Sequence, residues 1–303
     1  MAATRKPRSN LPAVPQGHAQ PRPCWLIVHE LHDQAAPALA AALAEAAVAS
    51  GVDVRAVSVP ALMSAPGPAG PGDAARGSGN AAGPPLPMGG VRWCLRVQGD
   101  GSSCTLDAPG LALQAGAAEA GGTGPGGARR GRLAGVVNRC GPVSLPAGAP
   151  DADYQSAEWN ALLAAWLHGL CCPVINRPRP HNLQATTMGP ARWRQAAAAA
   201  GLPVWPLRGQ DAWPQALGDA PGLLVVGPRV FEAAAPTAPR WPAGAHRAAA
   251  AAAARAGCEL LAWTGRPDAQ GRWRISGATP WPDLRPFGPA AGAALAQALG
   301  AAP

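Results

Sequence analysis

The stretch CWLIVHELHDQAAPALAAALAEAAVASGVDVRAVSV, residues 24–59, decides how this chain folds. Cys24-Trp-Leu-Ile-Val-His29 is a short apolar run bounded by proline, which suits a buried strand. Residues 34–50 are mostly alanine and leucine, strong helix formers. Gly51 stands where a glycine can take the left-handed conformation that ends a helix. Residues 52–59 then alternate apolar and polar as a strand does. Strand, helix and strand in this order form the unit from which parallel sheets are assembled.

Outward from this unit, 303 residues suffice for one large domain or two smaller ones with real cores. Residues 1–22 carry Arg5, Lys6 and Arg8 among prolines, with no apolar stretch of the kind a secretory signal needs, and read as a disordered basic leader. Residues 61–90 and 116–131 are dominated by Gly, Pro and Ala. Large apolar side chains are too few there to offset the entropy of ordering, so both are expected to be flexible insertions.

Between the insertions, residues 91–97 and 104–113 predict a hairpin around the Asp100-Gly101 turn. Residues 133–138 predict a further strand, and Asp153 is placed to cap a helix over 154–169. That helix carries Leu162, Leu163, Trp166, Leu167 and Leu170 at the spacing that packs on a sheet, with Glu158 near the positive end of its dipole. Residues 173–176, 222–231, 258–264 and 272–276 read as strands. Residues 191–200, 243–256 and 289–299 read as helices, the first closed by Gly201.

Composition narrows the function classes. The net charge of +8 is almost wholly arginine, because Lys6 is the sole lysine. The arginines are scattered, which fits the drift of a high-GC genome better than a nucleic-acid footprint. Seven cysteines, an odd number with no CxxC pair, signal neither a zinc site nor a disulfide framework, and several lie in apolar runs. A reducing cytoplasm suits them, and burial is expected for Cys171 and Cys172. Charges interrupt every apolar run before the roughly 18 residues a membrane helix requires.

The short motifs carry little chemistry. Residues 122–127 match GxGxxG, but no strand precedes them and no helix follows, so a linker is expected. His29-Glu-Leu-His32-Asp33 lacks the HExxH spacing and reads as a strand-end loop. No GxSxG elbow exists, and the eleven tryptophans sit mostly in apolar segments, as core packing requires.

Several segments in order resemble the peptide-modifying branch of the ATP-grasp superfamily. They are Gly135-Val-Val-Asn-Arg139, Asp153-Tyr154, Glu158-Trp159, Pro173-Val-Ile-Asn-Arg-Pro178 and Gly201-Leu-Pro203. Further on, Leu224-Val-Val-Gly-Pro-Arg-Val-Phe231 and Ala278-Thr-Pro-Trp-Pro-Asp-Leu284 are similar to segments of its second lobe. The resemblance implies an α/β protein with a pre-ATP-grasp-like parallel-sheet domain over 23–181. A shortened ATP-grasp-like α+β lobe would follow over 182–303.

The resemblance implies a ligase that activates a carboxylate with ATP and Mg²⁺ and joins it to an amine, chemistry that needs cations for phosphate and hard oxygen ligands for the metal. This sequence departs from that pattern. Met188-Gly-Pro-Ala-Arg192 stands where a phosphate-binding lysine belongs, and Gly277 and Thr279 stand where a Glu-x-Asn pair belongs. Between Pro206 and Leu223 there is room for a turn and a short helix, not for a lid subdomain.

The first expectation is therefore a degenerate, non-catalytic protein without cofactor that binds a peptide or protein partner, such as a complete ATP-grasp ligase. Its groove would be lined by Asn138, Arg139, Tyr154, Glu158, Asn176 and Arg177. The alternative is an active ATP- and Mg²⁺-dependent peptide ligase with Arg192 and Arg194 on phosphate and Asp283 on the metal. A basic nucleic-acid-associated protein comes third, and steep salt dependence of binding would mark it.

Overall fold

The computed structural model describes residues 22–59, 92–98, 101–108, 111–115, 131–145, 151–179, 182–186, 188–206, 220–234 and 241–300. Residues 1–21 of the expected leader, the insertion expected at 61–90, residues 116–130 of the other, the GxGxxG match, the Gly99-Asp100 pair and residues 207–219 lie outside these residues, whereas Gly131, expected in the second insertion, begins a strand.

The opening unit forms as its sequence predicts. Strand β1 (Pro23–His29) is followed by helix α1 (Ala35–Ala47), a 3₁₀ turn (Val48–Ser50) and strand β2 (Asp53–Ser58). Gly51 closes the turn at φ +63°, a conformation glycine adopts without steric cost. β1 and β2 pair in parallel, and β1 pairs in parallel on its other side with β6 (Gly131–Arg139). The far edge of β6 holds two further parallel neighbours, β5 (Leu111–Ala115) at its start and β7 (Val174–Ile175) near its end.

Strands β3 (Arg92–Gln98) and β4 (Gly101–Ala108) extend β5 in antiparallel pairs. The segment expected as one strand over 104–113 is thus divided between β4 and β5. Pro109-Gly110, a turn-forming pair, is the signal that distinguishes them in the sequence.

Helix α2 (Ala152–Gly169) begins earlier than expected, and Asp151, at φ +53°, holds the N-cap position. Asp153 therefore lies in the first turn, where a carboxylate still suits the dipole, and is not the cap. Leu163, Trp166, Leu167 and Leu170 are buried against the sheet, whereas Leu162 is 37% exposed. The positions i, i+3, i+4 and i+7 from Leu163 already fill the stripe that faces the core, which leaves Leu162 on its flank.

The second sheet is antiparallel, in the order β11 (Trp273–Thr279), β10 (Leu260–Pro267), β8 (Ala220–Val226) and β9 (Arg229–Glu232). The single strand expected over 222–231 is a hairpin. Val226 pairs with Arg229, and Gly227 turns the two-residue loop at φ +56°. Helices α3 (Pro190–Ala199), α4 (Ala245–Ala256) and α5 (Pro289–Ala298), with a 3₁₀ turn (Arg285–Phe287) just before the last, complete the described elements.

Strand alternation sorts these elements into five layers. Cys24, Leu26 and Val28 of β1 face α2, while Trp25 and Ile27 face α1 and α5. Leu224, Val226, Leu260 and Ala262 of the second sheet point into that same middle layer. Leu223, Val225, Leu261 and Trp263 point away from it, onto α3 and α4. The order is α2, first sheet, α1 with α5, second sheet, α3 with α4, and each buried leucine contributes roughly 1.5–3 kcal/mol. Small residues let the middle helices approach, since a Cβ on Gly292 would stand 3.2 Å from the Ala42 carbonyl oxygen.

Candidate functional site

β1 and β6 end side by side, with His29 in register with Arg139, so the residues after one strand meet the end of the other. The carboxyl edge of a parallel sheet is where such folds gather their ligands. Arg139 is 1% exposed and grips Asp33 with both arms of its guanidinium, Nε 2.6 Å from Oδ2 and Nη2 2.9 Å from Oδ1. Its remaining donors reach the second lobe, Nη1 to the Pro282 carbonyl at 2.9 Å and Nη2 to that of Trp281 at 3.2 Å. Burial works to raise the pKa of Asp33, but the hydrogen bonds and charge of Arg139, with the Ala35 N–H, outweigh it and hold the carboxyl below its ordinary range.

Two asparagines continue this seam. Asn138 Nδ2 donates to the carbonyls of Asn176 and Leu183, both at 2.9 Å. Asn176, at φ +56°, sends Nδ2 to the carbonyls of Leu260 (2.9 Å) and Pro280 (3.0 Å). Its Oδ1 accepts the N–H groups of Glu259 and Leu260, both at 3.0 Å. Asparagine tolerates the left-handed region better than other non-glycine residues, so one residue supplies both the backbone turn and four bonds to the second sheet. Of three residues the sequence marks for a groove, Arg139 and Asn176 are buried here as connections between the sheets, and Asn138 is buried as a brace for the segment that carries Asn176 and Leu183.

Over the Asp33–Arg139 pair lies a cleft of about 380 Å³, walled by Glu30, His32 and Gln34 from the first sheet's edge and by Thr279 and Trp281 from the second. The buried pair cancels its own charge. The Glu30 carboxylate has no hydrogen-bond or ion-pair partner among the described residues and is accommodated by Gly141, where a Cβ would overlap it. Its charge is felt by the adjoining Cys140 thiol, which burial chiefly, and Glu30 in addition, push far above the ordinary cysteine range.

The other sequence-marked residues lie elsewhere. Tyr154 is 68% exposed on α2, and Glu158 is exposed one turn along. Arg177 closes the C-terminus of α2, with Nη1 on the carbonyls of Leu167, His168 and Leu170 and Nη2 on that of Cys172. On α3, Arg192 is exposed and Arg194 half-buried. Asp283 accepts the Arg285 N–H at 2.9 Å and its Nε at 2.7 Å, and this hydrogen bonding lowers its pKa.

Asp268 accepts Arg274 Nε at 2.8 Å and the N–H groups of Gln270 and Arg272, which outweigh burial and bring its pKa down to about 2. Glu259 Oε2 accepts the Asn176 N–H at 3.2 Å. Among the described residues no three His, Cys, Asp or Glu side chains stand together as ligands for a metal ion. Cys171, expected to be buried, is exposed, because Leu170 and Val174 take the core positions on either side of it. Cys172 is half-buried, and desolvation pushes its thiol up to about 11.

In the sequence, Glu30 and Asp33 have no role beyond a strand-end loop, and Trp281 none beyond a segment similar to the second lobe. A usable signal existed: polar residues that follow two adjacent parallel strands must meet at one edge, so Asp33 after β1 and Arg139 at the end of β6 were within reach of each other.

No family model matches the sequence, and no curated protein does. Solved structures do match in fold. The macrocyclase MdnC bound with precursor peptide MdnA, from Microcystis aeruginosa MRC, superposes with a TM-score of 0.55 at 12% identity, covering 91% of this chain and 99% of that one. The chain has the fold of the peptide-modifying ATP-grasp ligases. The ATP-grasp ligase PsnB complexed with minimal precursor gives 0.52 at 14% identity over 91% and 97% of the two chains. A Chryseobacterium gregarium RiPP-associated ATP-grasp ligase, in complex with ADP and a leader and core peptide, gives 0.51 at 8% over 91% and 96%. In this ATP-grasp fold the cleft sits between the parallel sheet and the antiparallel one. No helix among the described residues is long and apolar enough to cross a membrane.

Proposed function

We propose that this chain is an ATP-grasp-fold protein that binds a peptide partner and does not carry out the ATP-dependent ligation its fold neighbours are built for. PsnB is known in complex with a precursor variant, Mg and ADP, so the fold accommodates a metal and a nucleotide. The residues present here do not fit that pair. The observation that carries the reading is the state of the acidic groups of the second sheet. Asp268 and Asp283 are committed to arginines and backbone N–H groups, and Glu259 accepts the N–H of Asn176. Gly277 and Thr279 have no carboxylate to offer, and the sole lysine, Lys6, is in the leader. A metal needs hard oxygen ligands that are free to coordinate, and a triphosphate needs cations placed around it.

MdnC, PsnB and the Chryseobacterium ligase are each in complex with a peptide, and holding a peptide by its side chains and backbone does not in itself call for metal ligands or phosphate-binding cations. A complete ATP-grasp ligase acting on the same peptide is the partner this reading implies. Calorimetric titration with Mg·ATP tests it: no heat of binding is expected, and micromolar affinity would overturn the reading. An active ligase would, in addition, consume ATP when offered a peptide and lose that activity in Asp283→Ala.

A further inference from the structure

Resting on the reading of a peptide-binding fold, we infer that the cleft over the Asp33–Arg139 pair receives a cationic side chain of the partner peptide, with Glu30 as its counter-ion and Trp281 as its aromatic wall. Asp33 engages Arg139 with both carboxylate oxygens, and the guanidinium's remaining bonds end on backbone carbonyls, so neither member of the pair is available to a ligand. The charge left over is that of Glu30, a half-buried residue lining the cleft whose carboxylate rests against Gly141 and has no partner among the described residues.

A carboxylate in a partly desolvated wall gains most from a positively charged hydrogen-bond donor. Across the cleft, the Trp281 indole is half-buried, and Thr279 Oγ1 holds the Trp281 N–H at 3.2 Å, which fixes the segment that carries the ring. A tryptophan and a glutamate that line one cavity from two different lobes make a combination suited to a guanidinium or ammonium group, which can stack on a ring and donate to carboxylate oxygens together. A volume of about 380 Å³ takes one long side chain and the backbone on either side of it.

The overall charge of +8 points the other way and would draw an acidic peptide to the surface at large. That field acts on the encounter, and at physiological salt it is screened beyond about 8 Å. Contact within the cleft is decided by the groups that line it.

The test uses the full chain and three blocked hexapeptides that differ only at a central Arg, Gln or Glu. They are titrated by NMR up to about 10 mM, the range in which a single-side-chain contact is measurable. The expected result is that the Arg peptide binds about tenfold more tightly than the other two, and that Glu30→Gln and, separately, Trp281→Ala remove the preference while the thermal midpoint stays that of the parent. Equal binding of all three, a preference for Glu, or an Arg preference that survives Glu30→Gln would overturn the cation site and leave the peptide-binding reading standing. No binding by any of the three would overturn the cation site as well. Micromolar Mg·ATP binding would overturn the non-catalytic reading without touching the Arg preference, so the two failures are distinguishable.

Discussion

Replacing Asn176 should damage this protein far more than replacing a polar residue at the rim of a groove would. Its side chain makes four hydrogen bonds of 2.9–3.0 Å to Glu259, Leu260 and Pro280, and the residue is 2% exposed. In Asn176→Ala two backbone N–H groups and two carbonyls lose these partners in a site with little room for water. At about 1 kcal/mol per bond this amounts to roughly 4 kcal/mol. Alanine held at the φ of +56° that asparagine tolerates adds about 1 kcal/mol.

Some backbone relaxation and water entry will recover part of this, so a loss of about 3–5 kcal/mol is expected, a large share of the 5–15 kcal/mol of a typical domain. Asn176→Gly removes the same four bonds without the conformational cost, and should lie about 1 kcal/mol above Asn176→Ala. Equilibrium unfolding in urea, followed by far-UV circular dichroism, measures both through the midpoint at constant slope. A loss below about 1 kcal/mol for the alanine variant, or a glycine variant less stable than it, would refute the claim that this residue joins the sheets.

Three other substitutions probe the seam and the core. Asp33 has a folded-state pKa below its unfolded value, so its contribution is present above the unfolded pKa and is lost as pH falls through the folded one. Asp33→Asn should therefore reduce stability at neutral pH and flatten its decline below about pH 4, measured as thermal midpoint against pH. Arg177→Ala removes the cap from the last carbonyls of α2 and should cost about 1–3 kcal/mol in urea unfolding with no change in peptide affinity. Leu167→Ala opens a cavity between α2 and the first sheet and should cost about 2–5 kcal/mol by the same assay.

The fold was legible wherever alternation or helical spacing was regular. Trp25 and Ile27 against Leu26 and Val28 already state that β1 is covered on both faces, and the Ala-Leu helix closed by Gly51 states how the chain returns. What misled was punctuation inside apolar runs. Pro109-Gly110 and Gly227-Pro228 each divide a stretch that hydrophobicity alone joins. The site was less legible for a different reason. A polar residue at a strand end has the same appearance whether it greets a ligand or a neighbouring carbonyl. The partners that distinguish the two cases for Arg139 lie 106 residues before it and 143 after it. Glu30 gave the opposite difficulty, since being left without a partner is a property only the assembled cleft can show.

The helical layer shared by the two sheets bears on how the molecule comes to be made. β1 begins at Pro23 and α5 at Pro289, yet Trp25 of the one and Leu299, just beyond the other, close on the same point above Gly135. Until α5 has been made, the face of β1 that carries Trp25 and Ile27 has α1 against it but lacks its other helical cover. During that interval a chaperone or an aggregating neighbour competes for the place that α5 will finally occupy.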